Sequence, residues 1–157
     1  MTAFDTAWDL VKMPYHGTSY SRAESMFNEG MKPRHSDNYE TWFGRPALSF
    51  ATPDYDAALD YAMAAMDRND PPAVVYIDPD VPFDDIHGTP VGRDDNSDME
   101  EVLITDQVIP PEMLSLKFMG DRMKEGEDYL EYRERMNRLM NQELKRYQES
   151  EEYFDEF

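Results

Sequence analysis

The chain has 157 residues, 34 acidic against 15 basic, a formal net charge of −19 and no cysteine. A chain of this length folds as one domain with a real core and room for an appended tail. The missing cysteine excludes disulfides, thiolate nucleophiles, Cys-ligated zinc and iron–sulfur clusters. Direct binding to a nucleic-acid backbone is disfavoured, because phosphate affinity comes from Lys and Arg. The acidity is compatible with simple solubility, with a salty habitat, or with mimicry of a nucleic acid to capture a basic partner.

The segment Met1–Val11 has no continuous apolar run, and nothing further along approaches the roughly twenty apolar residues of a membrane span. The expectation is a cytoplasmic protein without membrane association. In chain order, Leu10–His16 reads as a short strand feeding a Gly-containing loop. A helix follows, capped by Ser19 or Ser21, with Ala23, Met26 and Phe27 at helical spacing and Gly30 as its stop. Residues 32–45 read as a polar loop, interrupted by Trp42 and Phe43. Ala47–Ala51 is a short apolar strand. Thr52, Pro53 and Asp54 then open a second helix carrying Ala57, Ala58, Tyr61, Ala62, Ala65 and Met66.

Asn69 to Pro72 ends that helix, and Ala73–Ile77 is the clearest strand. Pro82–Asp98 is acidic and reads as a long loop, followed by strands over Glu101–Thr105 and Met113–Phe118. From Lys124 the character changes. Tyr129, Tyr132 or Arg133, Met136, Leu139 or Met140, Leu144 and Tyr147 mark an amphipathic helix with an acidic tail, Glu149–Phe157. The division is therefore a domain over 1–120 and a charged helix with tail over 121–157. The helix stripe is expected to dock on the domain, since such stripes usually bury internally, with another copy or a partner as the alternative.

The order of elements carries the functional reading. His16-Gly17-Thr18 sits at the end of the first strand and Ser49-Phe50 on a strand-then-helix unit with Tyr61, while Glu101 stands directly before the apolar run Val102-Leu103-Ile104. This arrangement resembles the ADP-ribosyltransferase superfamily, in its diphtheria-toxin and poly(ADP-ribose) polymerase branch, over about residues 12 to 118. The resemblance implies an α+β fold whose split antiparallel or mixed sheets surround an NAD cleft, with the C-terminal helix outside the matched region. It implies transfer of ADP-ribose from NAD to a macromolecule, most plausibly a protein side chain, with release of nicotinamide. Toxins and phage or bacterial effectors use this fold.

In that reading Glu101 stabilises the ribosyl cation, a role that suits a carboxylate beside a developing positive charge. His16 holds a ribose hydroxyl, and the backbone of Gly17 pairs with the nicotinamide carboxamide. Thr18, Ser49 and Phe50 line the NAD site, and Tyr61 stacks on the nicotinamide ring. The branch that opens with His has Tyr on the second strand, where Ser49 stands here, so the set is a His-Ser-Glu variant. Alternation along the last strand puts Glu101 with Leu103 and Thr105, and Glu100 with Val102 and Ile104. The second face reads as the better core face.

A second triplet, His87-Gly88-Thr89, is followed by Pro90 and reads as loop, and His35 has no assigned role. No P-loop, dinucleotide Gly fingerprint, nucleophile elbow or EF-hand spacing is present. The three histidines lack metal-ligand spacing, so no metal is expected. The rival reading is a non-enzymatic acidic protein, a nucleic-acid mimic or inhibitor, that covers a basic partner surface.

Overall fold

A computed structural model describes residues 13–36, 43–87 and 101–155. The described chain is α+β, with three α-helices and two antiparallel sheets. In chain order the elements are β1 Tyr15–Ser19, α1 Tyr20–Glu29, β2 Arg34–His35, β3 Ala47–Ala51 and α2 Tyr55–Ala65. There follow β4 Pro72–Ile77, β5 Asp84–His87, β6 Glu101–Thr105, a 3-10 turn Pro111–Met113, β7 Leu114–Met119 and α3 Tyr129–Asp155.

One sheet runs β1-β4-β7 and the other β2-β3-β6-β5. The most apolar strand, β4, lies at the centre of the first, where both of its edges and both of its faces are covered. Among the described residues one backbone bridge links the sheets, between Tyr15 and Thr52, in which each N–H donates to the other's carbonyl at 2.8 Å. Beyond that bridge β1 and β3 part.

Two cores lie on opposite faces of the β1-β4-β7 sheet, as strand alternation requires. Ala73, Val75 and Ile77 pack with Ala23 of α1, Ala51 and Leu103, so this core joins the two sheets. Val74 packs on the other face with Tyr15, Tyr55, Ala58, Ala62 and Met140. Leu48, Val102 and Ile104 form a smaller cluster with Phe43 and Phe50 on the outer face of the second sheet. The larger core therefore lies on the Leu103 face of β6, not on the Val102–Ile104 face expected to be the better one. The cause is the facing sheet, which supplies β4 side chains to that side.

The stripe of α3 docks on the domain. Tyr132, Met136 and Met140 are fully or almost fully buried, packing on Met66 and on the α2 face. Gly120 permits this close approach, since a Cβ there would stand 2.8 Å from Met136 Sδ and from the ring of Pro72. Asp128 Oδ1 accepts from the Glu131 N–H and caps the helix. Arg135 fastens its first turns to the preceding loop, donating to both carboxylate oxygens of Glu127 at 2.8 and 2.9 Å and to the Arg122 carbonyl. The two hydrogen bonds from Arg135 and one from the Lys124 N–H hold the Glu127 carboxyl down to about 2.

Four local expectations change. The first strand is Tyr15–Ser19, so His16, Gly17 and Thr18 lie inside it, and α1 follows without a loop. Two elements fall in expected loops: β2, held by two residue pairs to β3, and β5, an acidic edge strand paired along β6. His87 thus ends a strand opposite Glu101 instead of lying in a loop, while Gly88 and Thr89 lie outside the described residues. The cap of α2 is Asp54, whose side chain accepts from Asp56 N–H, because Thr52 is held in the bridge to Tyr15. Finally, α1 is capped from a distance. Ser19 occupies the N-cap position without a side-chain cap bond, and Asp70 accepts from the Ser21 N–H and hydroxyl.

Candidate active site

The gap between the parting strands is the candidate site. Pro14 and Tyr15 fix the phase of hydrogen bonding along β1. The Ile77 N–H donates to the Pro14 carbonyl, toward β4, whereas both backbone groups of Tyr15 serve the bridge to Thr52. In an antiparallel ladder these directions alternate. The groups of His16 and Thr18 therefore face β4, and the N–H and C=O of Gly17 face the same open edge as those of Tyr15. One edge donor and one edge acceptor, side by side, are presented to the gap.

Gly17 is also where the helix comes closest. A Cβ at this position would lie 1.9 Å from the Ala58 carbonyl oxygen and 2.8 Å from the Ala62 nitrogen. The absent side chain is thus required by helix–strand packing, whatever approaches the edge. The expected reason, room for a ligand, is joined by a structural one.

His16 spans the gap on the other face. Its Nδ1 lies 2.7 Å from the Phe50 carbonyl oxygen. A carbonyl only accepts, so Nδ1 carries the proton and Nε2 of the neutral ring is left as an acceptor. Burial lowers the His16 pKa, and the charges of Arg34 and Arg22 lower it further against the opposing Phe50 hydrogen bond. The ring is therefore neutral at physiological pH, with one fixed tautomer.

Ser49 lies opposite, paired with Thr105 and 4 % exposed, and its Oγ has no hydrogen-bond partner among the described residues. It shares a strand face with Ala51, which packs on Val75 and Ile77 of the sheet that carries His16. A buried hydroxyl without a partner carries a desolvation cost that a bound polar group would relieve.

The other expected site residues are placed less uniformly. Thr18 is buried and paired with Ala73, on the same face as His16. Phe50 contributes its carbonyl to His16, while its ring packs edge-on against Phe43 at 5.9 Å in the outer cluster. Tyr61, on α2, is 47 % exposed. The backbone of Glu101 opens β6 at the end of the strand nearer Thr52. The side chain of Glu101 and the whole of Glu100 lie outside the described residues. Sequence reasoning did not single out Arg22 or Arg34, whose proximity to His16 depends on the pairing of β2 with β3 and on α1 starting directly from β1.

Among the described residues there is no group of His, Asp or Glu that could hold a metal ion, and no helix long and apolar enough to cross a membrane. No protein-family model, no curated protein and no solved structure matches this chain.

Proposed function

We propose that the gap between β1 and β3 binds the nicotinamide end of NAD⁺ and that the protein transfers ADP-ribose to a macromolecular acceptor, a protein side chain. The observation that carries this reading is the outward-facing amide pair of Gly17. A carboxamide presents one acceptor and one donor group in a plane, and an open strand edge with adjacent N–H and C=O complements it. The neutral His16 beside it offers Nε2 to a ribose hydroxyl, and the unpartnered Ser49 Oγ offers a further polar contact. Tyr61 supplies a half-exposed ring for stacking on nicotinamide.

In the reaction the bond between the ribose C1′ and the nicotinamide nitrogen breaks, its electron pair leaving with neutral nicotinamide. The acceptor nucleophile bonds to C1′ and loses its proton. Positive charge develops on the ribose in between, and Glu101 is the carboxylate positioned by sequence order to stabilise it. Alternation along the sequence assigns it to the face of Leu103 and Thr105.

Nicotinamide release from NAD⁺ by the purified protein, alone and with a cell extract, tests the reading. Glu101→Gln keeps size and hydrogen bonding but removes the charge, and is expected to slow release by about a hundredfold or more with NAD⁺ still bound. Glu100→Gln is expected to retain most activity. A reversed pair of results would assign the carboxylate to Glu100. Absence of both NAD⁺ binding and nicotinamide release would leave the acidic interaction protein as the better reading.

A further inference from the structure

Along one edge of β3 two different strands are attached. At one end Thr52 bridges Tyr15 of β1, and at the other Leu48 pairs with Arg34 of β2. Only Ser49, Phe50 and Ala51 lie between, so the gap is closed at the Tyr15 end and opens toward Arg34. The facing wall runs the opposite way, from Tyr15 at the closed end to Ser19, where the chain passes directly into α1 and reaches Arg22 in its first turn. Arg22 and Arg34 therefore stand on the two sides of the same open end, some 10 Å or more of strand from the bridge at about 3.3 Å per residue.

Both arginines are exposed, and neither has an ion pair or hydrogen bond to a described residue. By contrast Arg45 is engaged by Asp84 at 2.6 Å and Arg135 by Glu127 and Asp121. Asp70 feels the charge of Arg22, but its oxygens are occupied by the Ser21 N–H and hydroxyl. Both guanidinium charges lower the His16 pKa, in accord with that placement.

We infer that Arg22 and Arg34 form an anion subsite at the open end of the gap, which takes the diphosphate of a dinucleotide whose nicotinamide lies at the Gly17 end. The inference rests on the proposed reading of the cleft and adds the polarity of the ligand within it. Guanidinium groups suit this task because their planar donor forks match phosphate oxygens. In an otherwise strongly negative protein they also supply the local field that admits an anionic ligand.

The test is calorimetric titration of the full chain and of Arg22→Gln/Arg34→Gln with three probes: NAD⁺, nicotinamide riboside, which lacks phosphate, and inorganic pyrophosphate. Both substitutions are at exposed positions, and an unchanged melting temperature verifies the fold. The expected result is a loss of NAD⁺ and pyrophosphate affinity of about tenfold or more in the double variant, with riboside affinity unchanged. In NMR titrations, pyrophosphate is expected to raise the His16 pKa in the native chain and not in the variant, since the bound anion offsets the arginine charges. Equal NAD⁺ affinities in the two proteins overturn the subsite and leave the cleft reading standing. Pyrophosphate binding through the arginines without any NAD⁺ binding overturns the dinucleotide assignment. Failure of the native chain to bind either ligand overturns both.

Discussion

His16 and Ser49 make opposite demands on the structure, and substitutions separate them. The His16 ring uses one nitrogen for the fold and leaves the other for a ligand. Asparagine places an amide N–H near the position of Nδ1 and has nothing at Nε2. His16→Asn is therefore expected to keep the link to the Phe50 carbonyl and the melting temperature, while NAD⁺ affinity falls by about 1 kcal/mol, up to ~3 if a ligand hydroxyl is left buried and unpaired. Titration calorimetry beside thermal melting reads both quantities. Ser49 is the converse case, a hydroxyl that costs stability when the cleft is empty. Ser49→Ala is expected to stabilise the free protein, by about 1 kcal/mol in urea unfolding, and to weaken NAD⁺ binding. Destabilisation with unchanged binding would mean that the hydroxyl serves the fold alone.

At the level of elements, the closest contact is between β1 and α2. The Ala58 carbonyl and Ala62 nitrogen pass over Gly17 where any Cβ would overlap them. The run of alanines in α2 suits this packing, since Ala58 and Ala62 are fully buried and present no bulk to the strand. Gly17→Ala is expected to push the helix away and destabilise the protein by about 1–3 kcal/mol, seen as a lower urea midpoint with an unchanged slope. It is also expected to disturb the site at a distance, because α2 carries Tyr61. The same crowding explains why β1 leads directly into α1: with its face covered by α2 and its inner edge paired to β4, the strand remains ordered through Ser19.

For the whole molecule, acidification reveals two separate windows. His16 titrates below its ordinary value of 6.5 because the half-buried ring is desolvated and feels the charges of Arg34 and Arg22. Between that lowered value and 6.5 the unfolded chain binds more protons than the folded one, so stability is complete above pH 6.5 and declines as pH falls. The carboxylates act lower. Burial raises Asp70, but hydrogen bonds from Ser21 and Ser19 outweigh it and leave the group below 3.8. Glu127 is held at about 2. Their contribution is intact above about pH 4.5 and is lost as pH falls through the folded values. Urea unfolding across pH 7 to 3 is expected to show both declines in the native chain and only the lower one in His16→Asn. Comparing the two proteins cancels the change in general self-repulsion that a net charge of −19 imposes.

Much of this was legible in the sequence. The apolar run of β4, the alanine-rich helix after Thr52, the Gly30 stop and the amphipathic stripe ending at Tyr147 are local patterns, and each formed where its period or punctuation indicated. The tertiary structure decided what local pattern does not encode. Strand β5 is acidic and β2 is two residues long, so neither has an apolar period, and each exists through its partner's hydrogen bonds. The cap of α1 comes from Asp70, a residue 49 positions from Ser21, and the core face of β6 is chosen by the sheet opposite. The orientation of Gly17's amide, the tautomer of His16 and the meeting of Arg22 with Arg34 at one end of a gap likewise depend on where two strands join and part. Periodicity reports which residues turn inward; only the pairing of distant segments determines what they turn toward.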